Sequence, residues 1–150
     1  DLETKQDTGE TLLINPDATL ADGARAAADY DNSSAKDPLC DAYLEVAYAT
    51  APSAGSTVAQ LYVLRESSAG STIYPEGGDG TTGGDIEPSI NHRVGLFVDK
   101  NPGTTTKSIL SLSDIPIRPA SMRFVIQNIS GQQFNSDWEL NIAPHKMESV

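Results

Sequence analysis

The sequence has little cysteine, few aromatic residues and little positive charge. Its single cysteine, Cys40, excludes a disulfide framework within the chain and is typical of folding in a reducing cytoplasm. Ten basic residues stand against 21 acidic ones, for a net charge of -11, and the basic residues do not cluster. We therefore expect neither nucleic acid nor a membrane surface as a partner, because both attract basic patches.

Long apolar runs and regular helical periodicity are also lacking. No stretch approaches the roughly 20 apolar residues that span a bilayer, and the first residues, DLETKQDTGE, lack the pattern of a signal peptide. One segment, LADGARAAADY at 20–30, spaces small apolar residues three and four apart. It suits either a helical turn or an extended surface path.

Short alternating segments separated by turn-forming clusters are what the sequence has instead. Clusters such as APSAGST, PEGGDGTTGGD and KNPGTT are typical of chain reversals. The segments predicted as strands are 11–15, 42–50, 58–64, 93–100, 107–115, 122–129 and 137–144. The pattern predicts an all-β chain, a jelly roll or antiparallel β-sandwich of seven to eight short strands. Residues 31–150 form the sandwich domain, and 1–30 form an extended N-terminal arm or a first strand.

Alternation within the strands predicts which side chains are buried, because successive side chains of a strand point to opposite faces. In AYLEVAYAT, one face carries Leu44, Val46 and Tyr48, and the other carries Tyr43 and Glu45. The complete predicted core is Leu44, Val46, Tyr48, Leu61, Val63, Leu96, Val98, Phe124, Ile126, Trp138 and Leu140.

Two acidic stretches resemble cation-binding loops. PEGGDGTTGGD at 75–85 offers Asp79 and Asp85, with glutamates nearby, and DYDNSSAKD at 29–37 offers three aspartates. Neither has the ligand spacing of a known calcium loop, so a plain loop and a hydrogen-bonded turn are the favoured interpretations. We expect no metal and no other cofactor.

Catalytic motifs are not evident in the sequence. There is no G-x-S-x-G elbow, and His92 and His145 are each expected to be surface or loop residues. Aromatic residues could form a sugar-stacking platform through Trp138, Tyr62, Tyr74 or Phe134, although most of these are better explained as core. The chain is therefore not expected to be an enzyme. Two Asn-x-Ser triplets, at Asn32 and Asn128, match the glycosylation pattern.

Three blocks, in order, resemble a group of tailed-bacteriophage virion proteins. PASMRFVIQNISGQQF resembles their C-terminal signature, a proline and an alternating strand followed by Asn-x-Ser-Gly and an aromatic residue. ADYDNSSAKDPLCDAYLEVAYAT and VAQLYVLRESSAGSTIYPEGGD are similar to two further blocks. The resemblance implies a non-enzymatic capsid decoration, or cement, protein with a jelly-roll fold. It also implies a virion location, on the capsid surface, after synthesis in the host cytoplasm.

The prediction for function is thus a protein that cements neighbouring subunits of a major capsid protein, as a homodimer or homotrimer on the shell. Its alternative is a carbohydrate-binding β-sandwich module on a virion or a secreted enzyme. Trp138 and Tyr74 distinguish the two hypotheses: exposed and coplanar rings would favour carbohydrate binding, and buried rings would favour the cement role. The expected capsid contacts are Leu12, Leu13, Ile14, Tyr74, Asp79 and Asp85.

Overall fold

The computed structural model describes residues 3–7, 12–14, 17–65 and 90–149. These ranges hold nine β-strands and one turn of 3-10 helix, Ile90–His92, and no helix in them is long and apolar enough to cross a membrane. The strands are β1 Glu3–Asp7, β2 Leu12–Ile14, β3 Arg25–Asp31, β4 Leu39–Val46, β5 Ser56–Arg65, β6 Arg93–Asp99, β7 Ser108–Pro116, β8 Ser121–Asn128 and β9 Glu139–Ser149.

The strands form two antiparallel sheets. Sheet I has the order β1-β9-β4-β7, with β2 also paired to β9, and sheet II has the order β3-β8-β5-β6. The pairs β2 with β9, β3 with β8, β4 with β7 and β5 with β6 nest inside one another, like a long hairpin rolled up. This is the topology of an eight-stranded jelly roll with β1 added to it. The predicted fold class is confirmed.

All seven predicted segments contain a strand, and β1 and β3 are strands that the sequence did not predict. In β3, an alanine-rich segment that favours a helical turn locally, Ala26 pairs with Ile126 and Ala28 with Phe124 of β8. Small side chains suit this position, because they face the core opposite bulky neighbours. Tertiary pairing thus overrides the local preference, as is common for weak propensities.

The core lies between the two sheets. Its centre is a row of aromatic rings: Phe134 meets Tyr48 edge to face at 5.6 Å and Trp138 at 6.0 Å, between ring centroids. The predicted core residues are buried except Leu96 and Val98, which are 39% and 43% exposed. The inward residue of β6 is Phe97 instead. This strand is apolar on both faces, so alternation alone does not say which face turns inward.

The N-terminal segment belongs to sheet I at the residues described. Leu12–Ile14 pair with Leu140–Ile142 of β9, and the side chain of Ile14 is buried in the core. Ile14 is therefore a core residue and not an exposed capsid contact, which corrects that part of the prediction. β2 fits the first-strand alternative for the N-terminal segment, while β3 crosses the expected boundary at residue 30.

The Asn-x-Ser-Gly turn after β8 has a structural explanation. The amide nitrogen of the buried Asn128 side chain donates to the carbonyls of Leu20, at 2.9 Å, and Gln132, at 2.7 Å. Its oxygen accepts from the backbone and hydroxyl of Ser130, at 3.0 and 2.7 Å. Asn128 thus ties two loops together, and a buried amide with both donors engaged is not an accessible glycosylation acceptor. Asn32 is buried in the same manner, donating to two carbonyls.

Candidate functional site

The aromatic residues proposed from sequence as a sugar platform do not form one. Trp138, Phe134 and Tyr62 are buried, and the indole nitrogen of Trp138 donates to the carbonyl of Ala18 at 3.0 Å. Tyr74 lies outside the described residues. Trp138 is therefore a core residue, as the alternation of the segment 137–144 predicted.

The acidic stretch at 29–37 forms a turn, as favoured from sequence. Asp29 pairs with Arg123, with 2.5 Å between Oδ1 and Nε, and Asp31 accepts from the backbone of Ser33 at 2.8 Å. The hydrogen bonds to Ser33 hold the pKa of Asp31 below its usual value. The carboxylates of Asp29 and Asp31 thus bond to different residues instead of converging on one site. Asp79 and Asp85 lie outside the described residues.

The outer face of sheet I, formed by the outward side chains of β4, β7 and β9, carries the exposed aromatic ring of the described chain. Tyr43 of β4 is 37% exposed, whereas the other large aromatic side chains described are more buried. Strand pairing places Asn141 of β9 on one side of Tyr43 and Ser111 of β7 on the other. One apolar ring thus stands between an amide and a hydroxyl, an arrangement suited to a polar ligand with an apolar face.

Two carboxyl groups lie beside Tyr43 on this face. Glu45 pairs across the sheet with Glu139, so the two side chains stand directly opposite each other on neighbouring strands. The hydrogen bond to Glu139, partial burial and the like charge together raise the pKa of Glu45, although Lys107 lies 3.6 Å from its carboxylate and opposes the shift. Near neutral pH this part of the face is therefore crowded with negative charge, and one cation partly compensates for it.

A wide groove of about 750 Å³ continues from the same face. Ser111 and Ile109 of β7 line it on one side, and the connection between β6 and β7 lines it on the other, with Lys100 and Asn101. Ile109 is 69% exposed. Because Ser111 borders both Tyr43 and the groove, a long ligand could cross from one to the other without leaving the surface.

Three metal-ligating side chains meet at the other end of this face. They are Asp41 of β4, Asp114 of β7 and His145 of β9, and one ligand atom from each lies within 4.8 Å of the others. Nε2 of His145 is 3.0 Å from Oδ1 of Asp114, and Nδ1 is 3.9 Å from Oδ1 of Asp41. The hydroxyl of Tyr43 donates to Oδ2 of Asp41 at 3.2 Å, which joins this cluster to the aromatic ring.

Local backbone geometry brings these residues together. The register between β4 and β7 shifts between Cys40 and Ala42, and Asp114 takes a left-handed conformation with φ of 56°. The amide of Asp114 then donates to Oδ1 of Asp41 at 2.9 Å. The bulge thereby turns the Asp114 side chain toward β9.

His145 corrects a prediction from the sequence. It was expected on the surface or in a loop, but it is buried within β9 and 2% exposed. The proline at 144, taken as the end of a strand, instead lies where β9 passes from pairing with β2 to pairing with β1. A proline is tolerated at such an interruption. His92, by contrast, lies in the 3-10 turn, is only partly buried, and agrees with its prediction.

Comparisons with known proteins show no family for this chain. No protein-family model and no curated protein matches the chain. Three solved structures are similar over nearly the whole chain. The CBM36-1 domain of a multidomain xylanase from the hindgut metagenome of Trinervitermes trinervoides has 11% identity and a TM-score of 0.43, covering 99% of this chain and 98% of that one.

The second is a carbohydrate-binding module CBM36 in complex with calcium and xylotriose, with 14% identity and a TM-score of 0.41, covering 97% and 99% of the two chains. The third is the Yersinia pseudotuberculosis-derived mitogen, with 13% identity and a TM-score of 0.38, covering 99% and 92%. Similarity at this level assigns no function to the chain, so its function is argued from its own residues.

Proposed function

We propose that the protein is a non-catalytic jelly-roll module that binds a carbohydrate chain on the outer face of sheet I. The exposed ring of Tyr43, set among hydrogen-bonding side chains, is the observation that carries this proposal. A jelly roll by itself supports it only weakly, because lectin domains and viral capsid proteins share that architecture.

The chemistry of the face suits a sugar ring. One side of a pyranose presents C–H groups that pack against an aromatic ring, while its hydroxyls point outward and require hydrogen-bond partners. Asn141 and Ser111 flank Tyr43 on the two neighbouring strands, whose backbones lie about 5 Å from that of β4. The groove past Ser111 extends the surface for further sugar units, so the proposed ligand is an oligosaccharide or polysaccharide.

The charge of the face selects the kind of sugar. Asp41, Glu45 and Glu139 surround Tyr43, and the chain as a whole has a net charge of -11. Uronic or sialic acids would meet like charge there, which costs affinity. We therefore expect neutral polysaccharides to bind and acidic ones to be rejected.

The paired carboxyls do not suggest hydrolysis. Retaining glycosidases hold their two carboxyl groups about 5 Å apart, and inverting ones hold them further apart, to leave room for the reacting sugar or a water. Glu45 and Glu139 lie opposite each other on neighbouring strands and neither of them lines the groove, so they do not flank a sugar bound there. The proposal is therefore binding without cleavage.

The test is affinity electrophoresis of the purified protein in gels that contain neutral or acidic polysaccharides, followed by calorimetry with oligosaccharides. Tyr43→Ala should weaken binding to the retarding polysaccharide about tenfold or more, whereas Tyr43→Phe should keep most of it, since the ring remains. Leu96→Ala, which removes an exposed side chain from sheet II, is the matched control. Retardation that is equal for wild type and Tyr43→Ala, or that no polysaccharide produces, would contradict the proposal.

A second candidate is the capsid decoration protein expected from the sequence resemblance. The burial of Trp138 favours it over a sugar platform built on that residue. Its proposed partner is a major capsid protein, with two or three copies of this chain meeting on the shell. Saturable co-sedimentation with phage capsids stripped of their outer proteins, unaffected by Tyr43→Ala and by added glycans, would support this function and count against the first.

A further inference from the structure

We propose that Asp41, Asp114 and His145 form a binding site for a first-row transition-metal dication of the Zn²⁺ type. The three residues come from three adjacent strands of sheet I, and their ligand atoms lie within 4.8 Å of one another. A cation placed among them would contact all three with small side-chain movements, since metal–oxygen and metal–nitrogen bonds are about 2 Å long.

The orientation of the imidazole is what separates this cluster from a group of surface acids. Nδ1 of His145 faces the carbonyl of Ala143 at 3.5 Å, and Nε2 faces Oδ1 of Asp114 at 3.0 Å. A backbone carbonyl on one ring nitrogen is the usual arrangement that fixes the tautomer of a metal-ligating histidine and directs the other nitrogen at the metal. The neutral imidazole can donate from Nε2 to Asp114, or it can carry its proton on Nδ1 and present the lone pair of Nε2 to a cation that Asp114 also contacts.

Two of the three side chains are buried and the third is exposed, which suits a metal site. Asp41 and His145 are 6% and 2% exposed, so packing holds them in place. The side chain of Asp114 is 57% exposed and provides the entrance. Three protein ligands with one side open to solvent leave room for a water or a ligand group in the fourth position.

The donor set favours one class of metal. Calcium and magnesium take oxygen ligands almost exclusively, whereas an imidazole with two carboxylates suits zinc, manganese or cobalt. We expect Zn²⁺ and Co²⁺ to bind one per chain, and Ca²⁺ and Mg²⁺ not to compete at similar concentrations.

The experiment uses the full chain, freed of metal by a chelator, and titrates it with Co²⁺ while the visible absorption is recorded, then with Zn²⁺ by calorimetry. Wild type should develop a ligand-field band that saturates at one Co²⁺ per chain and disappears when Zn²⁺ is added. Asp114→Asn and His145→Gln should each weaken binding at least tenfold. Asp114→Asn alters an exposed side chain, so its fold should be preserved, and circular dichroism checks this.

His92→Gln is the matched control, because it removes the other histidine and should leave the titration unchanged. The proposal is overturned if wild type binds no Co²⁺ at one equivalent, which would mean that an ordinary hydrogen bond from Nε2 is all that joins His145 to Asp114. It is equally overturned if binding survives in Asp114→Asn or is lost in His92→Gln. Since no carbohydrate is present in this titration, its outcome is independent of the proposed sugar binding.

Discussion

Two tyrosines five residues apart, Tyr43 in β4 and Tyr48 just after it, each donate a hydrogen bond to an aspartate, and they differ in almost everything else. The hydroxyl of Tyr48 is 2.9 Å from Oδ2 of Asp99, and both residues are buried. The hydroxyl of Tyr43 is 3.2 Å from Oδ2 of Asp41, but its ring is 37% exposed. The same pair of side chains therefore occurs once inside the fold and once on its surface.

The difference lies in what remains available for a ligand. Around Tyr48, the ring packs edge to face on Phe134, and the second oxygen of Asp99 accepts from the backbone of Asn101 at 2.9 Å. The buried ring of Tyr48 is therefore not accessible to a ligand. Around Tyr43, the ring face is open, and Asp41 belongs to the cluster with His145. A hydrogen-bonded tyrosine thus indicates a binding site only when its ring is exposed to solvent.

The largest expected effect that tests this contrast is on stability. Tyr48→Phe removes the hydrogen bond to Asp99 and leaves a buried carboxylate oxygen without it, which we expect to lower the free energy of unfolding by about 2 kcal/mol. Tyr43→Phe should change it by less than about 0.5 kcal/mol, because water can replace the lost contact. Urea unfolding of both variants at neutral pH measures the two values. Equal losses would show that the two pairs do not differ as described.

The second effect is on alkaline stability. Burial, then the hydrogen bond to Asp99 and its negative charge, raise the pKa of Tyr48 above its ordinary value of 10.0. The folded state thus favours the neutral hydroxyl of Tyr48. The stability that this hydroxyl contributes is complete below pH 10, and it is lost as the pH rises from there toward the folded-state pKa.

Above pH 10, the free energy of unfolding of wild type should therefore fall by up to about 1.4 kcal/mol per pH unit relative to that of Tyr48→Phe. The variant has no proton to release at this position. Urea unfolding at pH 9, 10 and 11 measures the difference. Tyr43→Phe is the control and should follow wild type. Parallel pH profiles for wild type and Tyr48→Phe would be evidence against a buried, strongly held hydroxyl.

Much of the fold could be predicted from local pattern. β4 and the first half of β9 show a clear period of two, while Pro38 and Gly55 directly precede β4 and β5, and these features are local. β3 escaped prediction because its alanines face the core only through pairing with β8, which is a contact across nearly a hundred residues. Leu96 and Val98 were misplaced because β6 is apolar on both faces.

The candidate site could be predicted only in part. The alternation of β4 already put Tyr43 and Glu45 on the face opposite Leu44, so the exposed ring was within reach of sequence reasoning. Trp138 was predicted as core, as is usual for a large aromatic in an alternating strand, and it is buried, so the alternative of a sugar platform on it is wrong. The cluster of Asp41, Asp114 and His145 depends on a bulge and on strand register, neither of which leaves a local signal in the sequence.

The smallest expected effect concerns the acidic pair beside Tyr43. Like charges opposite each other in a sheet are destabilising, and the pKa of Glu45 is raised chiefly by its hydrogen bond to Glu139. A raised pKa means that the contribution of Glu45 is favourable below its unfolded value of 4.5 and is lost as the pH rises through the folded-state pKa. Glu139→Gln keeps an oxygen for Asn141, which donates to Glu139 at 3.4 Å, and leaves Lys107 beside Glu45.

We therefore expect Glu139→Gln to be more stable than wild type at pH 7, by about 0.5 kcal/mol or less because both side chains are partly exposed and screened. The gain should fall as the pH drops below the raised pKa of Glu45, where that carboxyl is protonated, and should shrink in 1 M salt, where the Debye length is about 3 Å. Urea unfolding of wild type and Glu139→Gln at pH 7, at acid pH and in 1 M salt measures this difference in stability. A loss of stability at pH 7 would mean that the shared hydrogen bond outweighs the repulsion, so that the pair stabilises the sheet. If Glu139→Gln is instead more stable and also binds the neutral polysaccharide less well, Glu139 destabilises the sheet but contributes to ligand binding. The native protein then keeps a residue that lowers its stability because that residue serves its function.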